Sequence, residues 1–497
     1  MSVYNFGQVY CEELKYADIE RYKMKKNRFA LFFGTRGFFP ASLVQEARRQ
    51  IPAALKEMGH ECLMMDAKAS PHGAVETFRE GKKFAEFLRK NRGKYDGIII
   101  CLPNFGDENG ALAAMREEDV PIFIMAYPDE LDKLGPASRR DAFCGKLSIM
   151  DVFYQAGIKF TSLIPHTVNP QSKQFNDNID YFARVCRIFN GVKGMVVGAI
   201  GARTTPFKTV RFDETVMQKN DITVETLDLS MVMRMISKTS LSSSQAKAKA
   251  KILAGYTSWQ GVPQKAFENS VKLAIAMDEI IKEFDMDAVA VRCWTEFQLE
   301  LGISPCVVMS LLNNKGMAAA CEVDVASAIM MHALGLASDG ISACLDWNNN
   351  YGDEEDKCIL FHCGPVPAEM MKNKGRVQDH AIIANSIGKG RGFGCNTGRI
   401  APGDCTFGSL LTDSGKIKCC LGEGNFTDDA IPDEFFGCAG VVELENLQKI
   451  MLYLGQNGYR HHVSVTSGHV ARPTCEALTK YLGFEVAQPQ ISCINNS

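Results

Sequence analysis

Residues Tyr95–Leu102 read YDGIIICL, and the stretch that follows reads PNFGDENG. An unbroken apolar run bounded by turn residues is a strand buried on both faces. Pro103, Gly106 and Gly110 mark the loop after it. Working outward, the same grammar repeats. Phe29–Phe33 is an apolar run ended by Gly34 and Gly37, and a helical pattern then runs to about Met58. Glu61–Met65 reads as a second strand, Val75–Asn91 as a charged amphipathic helix, and Val120–Ala126 as a fourth strand. Strands alternating with helices predict a parallel, doubly wound sheet. Residues 1–26 are charged and read as a helical arm, so the first domain is expected over residues 1–165.

A helical connector opens a second α/β unit, expected over residues 166–345. Its predicted strands are Val192–Ile200 and Asp287–Arg292, with helix over Phe267–Phe284. Thr239–Lys251 reads as a loop leading into an exposed helix, and Ala318–Leu336 as a strand or loop that continues as a helix. After about residue 345 glycine becomes denser. The short runs Cys358–Cys363, Lys416–Leu421 and Gly437–Leu444 suggest antiparallel β structure, and helices are read over Leu444–Leu454 and Pro473–Leu482. The expected fold is therefore α/β: two doubly wound parallel-sheet domains, then a C-terminal α+β domain (346–497) carrying a partly open β-barrel.

Composition narrows the function classes. The chain has 497 residues, 46% hydrophobic and 23% charged, with a net charge of -3. That balance argues against a general nucleic-acid binder, which carries a basic excess. No run reaches the roughly 18 apolar residues of a transmembrane helix. The N-terminus lacks an apolar core of signal-peptide type, so a cytoplasmic location away from membranes is expected. The 18 cysteines then read as small buried hydrophobes rather than disulfides. No CxxC pair suggests a zinc ribbon.

Three segments carry chemistry. ACEVD (Ala320–Asp324) opens an apolar helix, ACLDWNNN (Ala343–Asn350) ends an apolar strand, and YRHHVSVTSGH (Tyr459–His469) precedes a glycine turn. A carboxylate entering an apolar run is costly unless it is paired or binds a metal. An oxygen-rich set of Glu, Asp and one His suits a hard divalent ion such as Mn²⁺ or Mg²⁺ better than a thiolate-preferring zinc site. Spacing alone does not bring the segments together, and a buried Glu–His pair also has a purely structural reading. GTRGFF after the first strand is not the GxGxxG of a dinucleotide-binding fold. GKGRGFG (Gly388–Gly394) lacks the Lys-Ser/Thr ending of a phosphate loop and reads as a loop of the β domain.

In order and spacing the three segments resemble the L-fucose isomerase family and, more distantly, the L-arabinose isomerases. Glu322 in ACEVD and Asp346 in CLDW stand at the separation of that family's glutamate and aspartate. HHVSVTSGH is similar to its C-terminal histidine segment, with His462 at the ligand position and His469 at the segment's last histidine. Two departures are evident. His461 replaces the asparagine that precedes the ligand in fucose isomerases, and the C-terminal domain is shorter. His362, in LFHCGP, lies near the place of an additional metal-binding histidine in arabinose isomerases.

The resemblance implies a metal-dependent aldose–ketose isomerase working by an ene-diol proton transfer between C1 and C2 of an open-chain sugar of L-fucose or D-arabinose type. Glu322 and Asp346 are implied as acid and base, and Glu322, Asp346 and His462 as ligands of Mn²⁺ or of Mg²⁺ or Co²⁺. His362 is implied as a ligand or as pocket lining. Lesser substrate candidates are Trp294 and Gln298, with Glu296 beside them, which otherwise cap a strand end. Trp347, Asn348 and His461 complete that group. Arg36 and Asn104 follow strand ends, where doubly wound sheets place ligands, and the family has a neighbouring subunit's first domain close the pocket. A trimer or hexamer is expected. A second reading is an isomerase for an unusual anionic or branched sugar, such as a sulfonated hexose, or a non-catalytic sugar-binding relative. Arg203, Lys208 and Arg211 suit an anionic substituent, unless Arg203 and Arg211 pair with Asp213 and Glu214.

Overall fold

The computed structural model describes residues 26–338 and 340–492. The helical arm expected over residues 1–26 lies, apart from Lys26, outside them. The chain forms two compact units. One holds Gly191–Ala471 and the described chain from Glu485, and the other the described chain up to Asn190 together with Arg472–Phe484.

The N-terminal unit is built on four parallel strands, β1 (Arg28–Phe33), β2 (Glu61–Met64), β3 (Gly97–Leu102) and β4 (Ile122–Ala126), in the order β2-β1-β3-β4. Alternation along β1 sends Phe29, Leu31 and Phe33 into one apolar layer and Ala30 and Phe32 into the other. Both faces are thus covered, and YDGIIICL shows no polar alternation for that reason. Each fully buried Ile or Phe contributes about 1.5–3 kcal/mol. The helix Lys173–Val192 adds Phe175, Ile179 and Phe182 to the first of these layers. Residue Val192, expected to begin a strand, ends this helix instead. Gly194 takes a left-handed φ of 77° two residues later and breaks the helical run.

The second unit opens with another parallel sheet: β5 (Val196–Ile200), β6 (Thr223–Leu227), β7 (Ala288–Val291) and β8 (Ala318–Ala320), in the order β6-β5-β7-β8. Nine further strands form one large sheet. They are β9 (Ser342–Tyr351), β10 (Glu354–His362), β11 (Arg376–Gln378), β12 (Cys395–Arg399), β13 (Gly403–Asp413), β14 (Lys416–Phe426), β15 (Cys438–Glu443), β16 (His462–Ser467) and β17 (Glu485–Ala487). Six of them, β15-β10-β9-β16-β13-β14, run antiparallel around a barrel. The barrel is closed, by two residue pairs: Asn425 with Glu443 and Phe426 with Val442.

The helix Val325–Ser338 (VASAIMMHALGLAS) packs against β7, β8 and the barrel strands β9, β13 and β16. A helix covered on several sides is apolar all round, which accounts for its lack of a polar stripe. Gly408 on β13 permits the contact, since a Cβ there would lie 2.7 Å from Met330 Sδ. Among the described residues no helix is long and apolar enough to cross a membrane.

Candidate active site at the rim of the barrel

The site residues sit where the parallel sheet hands the chain to the barrel. Glu322 follows β8, the strand whose C-terminal end faces ligands in sheets of this kind. Both Glu322 (φ 54°) and Val323 (φ 60°) are left-handed. For a β-branched residue that is an outlier costing about 1–3 kcal/mol. Bonds from Val323 N–H to Val291 O (3.2 Å) and from Asp324 N–H to Cys321 O (2.9 Å) hold the turn. Its effect is to bring the Glu322 carboxylate, in a residue only 5% exposed, back over the sheet.

Asp346 lies on β9, and β16 pairs with β9 so that His462 is directly opposite Asp346. On the other side β10 pairs Phe361 with Asp346, placing His362 at the same rim. His462 Nε2 stands 3.4 Å from Asp346 Oδ1 and 3.6 Å from Glu322 Oε2, and His362 Nε2 is 3.6 Å from Glu322 Oε2. His461 Nε2 is 3.7 Å from Asp346 Oδ1. Glu322 Oε1 accepts from Trp294 Nε1–H and Cys293 S–H, both at 3.2 Å. Glu322 Oε2, Asp346 Oδ1 and His362 Nε2 are buried and have no hydrogen-bond partner. The two orphaned carboxylate oxygens, each within 3.6 Å of His462 Nε2, fit a divalent ion. The carboxylate oxygens make the set hard. The thiols of Cys293, Cys321 and Cys344 border it.

Behind this group stands a buried network. Asp324 caps the helix Val325–Ser338 by accepting from Ser327 N–H at 3.0 Å and Ser327 Oγ–H at 2.7 Å. It also pairs with the Arg460 guanidinium and lies 2.9 Å from His462 Nδ1. Burial pushes the Asp324 carboxyl up, but Arg460 and His462 outweigh burial and hold it well below the usual carboxylate range. Glu322 follows the same logic. Against burial, the neighbouring His362 ring and then His462 bring it down to about 2. Burial opposes charge on His462, yet Cys344 and Asp324 keep it well above the ordinary imidazole range. The Cys344 thiol is itself pushed up by burial, so Asp324 supplies the fixed negative charge. His461 is lowered, by burial and then by the charge of His462.

Ring orientation separates the two buried histidines. His462 Nδ1–H donates to Asp324, so Nε2 faces the cluster, and a bound metal would take the place of the Nε2 proton. Such a carboxylate–imidazole pair orients a metal ligand. His362 Nδ1 instead accepts from Cys363 N–H at 2.9 Å, so the neutral ring carries its proton on Nε2, toward Glu322.

The remaining candidates are distributed as follows. Trp294 touches Glu322. Gln298 is buried and donates to Cys293 O (2.9 Å) and Ser304 Oγ (3.0 Å), bracing the loop that carries Cys293 and Trp294. Glu296 pairs with Arg292. Trp347 alternates to the face opposite Asp346 and packs edge-on against Phe407 at 5.4 Å. Asn348 is exposed and bonded to Asn349. His469 reaches Gly424 O at 3.3 Å. Arg36 and Asn104 belong to the N-terminal unit and brace its loops. Asn104 Oδ1 accepts from Arg36 N–H (3.2 Å), and Arg36 pairs with Glu108 and lies over the Phe105 ring.

The suggested pairing of Arg203 and Arg211 with Asp213 and Glu214 does not occur. The Asp213 carboxylate accepts from Thr215 and Val216 N–H, capping a helix. Residues the sequence did not single out are Asp324, Arg460, Cys293 and Phe207. Phe207 lies on the loop after β5, with its ring 5.8 Å from Trp294, 5.4 Å from His461 and 5.8 Å from His462. An Asp at the mouth of an apolar helix was the one available signal for Asp324.

Comparison with known proteins agrees with this architecture. Residues 30–193 match the fucose/sulfoquinovose isomerase N-terminal domain, and residues 360–489 match the L-fucose isomerase C-terminal domain. Together they span more than half of the chain. The chain is 22% identical over 433 residues to a sulfoquinovose isomerase of Priestia megaterium, covering 84% of this chain and 90% of that one. It is 21% identical over 391 residues to a sulfoquinovose isomerase of Alkalicoccus urumqiensis, covering 78% and 84%. From the two domain matches and these relatives, the chain belongs to the fucose isomerase-like family of sugar isomerases.

Proposed function

We propose that this chain interconverts an open-chain aldose and its 2-ketose by moving a proton between C2 and C1, with Glu322 and Asp346 as acid and base. The observation that carries the reading is the meeting of Glu322 Oε2, Asp346 Oδ1 and His462 Nε2 within 3.4–3.6 Å contacts. A divalent ion, Mn²⁺ first, with Mg²⁺ or Co²⁺ as substitutes, would be held by these three residues and would polarise the sugar's O1 and O2. One carboxylate takes the C2 proton and the opposite side returns it to C1. The hydroxyl proton passes from O2 to O1, so no atom or electron is gained or lost. Asp324 fixes the His462 ring. His362 presents Nε2–H to the Glu322 side, which favours a proton-bearing contact over ligation. Phe207 and Trp294 exclude water from one side.

For the substrate we favour a sulfonated hexose over an L-fucose or D-arabinose type. The support is the name shared by the relatives and the charge of the loop after β5. Arg203, Lys208 and Arg211 there make no ion pair with any carboxylate among the described residues. Arg36, Asn104 and the 76% exposed Phe38 are proposed to serve a neighbouring subunit in a trimer or hexamer, and the location is proposed to be cytoplasmic.

The test is conversion of sulfoquinovose, L-fucose, D-arabinose and L-arabinose by chelated protein, with and without added Mn²⁺. Metal-restored ketose formation that is abolished in Glu322→Gln and Asp346→Asn is expected. Metal-bound protein that binds a sugar without exchanging its C2 proton with solvent would instead mark a binding protein.

A further inference from the structure

The glycine-rich stretch Gly388–Gly394 plays no part in the proton-transfer group, yet it folds over a histidine beside that group. His380 follows β11, is 5% exposed, and its Nδ1 has no hydrogen-bond partner. The ring lies against Phe436 with centroids 5.4 Å apart. Phe436 leads into β15, where Cys438 is paired with His362 of β10. His380 therefore sits at the same rim as His362. Burial first, and then the charge of His362, lowers its imidazole to about 4, and Glu322 is also within electrostatic reach. The ring is neutral at pH 7, with one N–H and one lone pair.

The loop around it is otherwise well bonded. The Asp379 carboxylate accepts from the N–H groups of His380 (3.1 Å), Gly390 (2.6 Å) and Gly392 (2.8 Å). His380 N–H also reaches Gly392 O at 3.2 Å. A Cβ on Gly392 would stand 2.9 Å from His380 Cβ, and one on Gly394 would stand 2.0 Å from Ser304 O. The glycines are what allow this approach. A buried polar atom left unpaired costs about 1–3 kcal/mol. Its presence in a loop otherwise bonded, within electrostatic reach of Glu322, calls for a ligand atom.

We propose that His380 is a further substrate-binding residue, whose imidazole hydrogen-bonds an oxygen of the open-chain sugar beyond C2, a chain hydroxyl or a sulfonate oxygen. This rests on the isomerase reading above. The experiment is steady-state kinetics of the Mn²⁺-loaded full chain and its His380→Ala and His380→Asn variants, on sulfoquinovose and on D-quinovose, which lacks the sulfonate. Loss of one neutral hydrogen bond is expected to raise KM roughly tenfold in His380→Ala, with kcat within about threefold, and to raise it less in His380→Asn. A rise confined to sulfoquinovose assigns the contact to the sulfonate, and a rise with both sugars assigns it to a hydroxyl. Unchanged KM in both variants overturns the proposal. In the wild-type chain, exchange of the His380 ring Cε1–H with deuterated water, read by mass spectrometry, is expected to slow when sugar is bound. Equal exchange with and without sugar also overturns it, even if the variants do not fold. A wild-type chain that turns over no sugar would instead remove the isomerase reading itself.

Discussion

Asp324→Asn keeps the size and the helix-capping oxygen of the native residue but removes the one charge shared by Arg460 and His462. Arg460, 6% exposed, would then be a buried cation without a counter-charge. Breaking such a pair costs about 3–5 kcal/mol, which calorimetry would read as a lower melting temperature. His462 also loses the group that fixes its ring, so Mn²⁺ retention on dialysis is expected to weaken by roughly 10- to 100-fold. Unaltered retention would mean that the ring is oriented by something else. The pH dependence of Glu322 has a definite sign. Its carboxyl falls from 4.5 to about 2 in the fold. The stability it contributes to the metal-free chain is present above about pH 4.5 and is lost as pH falls through about 2. Glu322→Gln should flatten that acid limb in urea titrations, and an unchanged slope between those pH values would contradict it. At this scale each of Glu322, Asp346 and His462 interrupts an apolar run, but it was the family resemblance that grouped them, and Asp346, expected to end a strand, lies in the middle of β9. Asp324 and Arg460 were not legible, since one looks like a cap and the other like a surface cation until the fold buries both. His380 was hidden because its surroundings come from Phe436 and from glycines well apart from it in sequence.

The elements position the site through register. Asp346 and His462 face each other across β9 and β16, and a one-residue slip would turn Asp346 into the core and Leu345 into the site. What guards this register is the closed ring of six strands, whose weakest seam is the two-pair junction of β14 with β15. Gly440 on β15 lies at that seam, and a Cβ there would stand 2.8 Å from both Ile400 Cβ and Phe426 Cδ1. Gly440→Val is expected to overpack it, costing about 1–3 kcal/mol. Hydrogen exchange should quicken in β14 and β15 before β9 and β16. Uniform quickening around the barrel would show that the seam is no weaker than the rest. The buried parallel strands were readable as unbroken apolar runs. Strand β6 (TVETL) was passed over because an edge strand with exposed polar positions carries little hydrophobic signal. Closure of the barrel could not be read, since two residue pairs leave no mark on periodicity.

At the scale of the whole molecule, sequence order and structural membership part company near the C-terminus. After β16 the chain leaves the barrel-bearing unit, and Arg472–Phe484 completes the N-terminal one. Glu476 accepts there from Thr161 Oγ–H at 2.9 Å and from Tyr181 O–H at 2.7 Å. Tyr481 O–H lies 2.9 Å from Thr161 Oγ, and Leu478 is fully buried. A reading that assigns contiguous domains puts this segment in the C-terminal one, because no local pattern announces a return. The consequence is testable in the full-length chain. Tyr481→Ala removes a large buried ring, worth about 3–5 kcal/mol, and Glu476→Ala leaves buried hydroxyls unpaired at about 1–3 kcal/mol. The double variant keeps β17 and the barrel intact. Amide exchange is therefore expected to accelerate in β4 and around Thr161, which pairs with Phe123 of β4. Strands β9 and β16, with Asp346 and His462, should keep their protection. If those strands opened to the same degree, the two units would unfold as one, and the C-terminal segment would be stabilising the whole chain rather than the unit it joins.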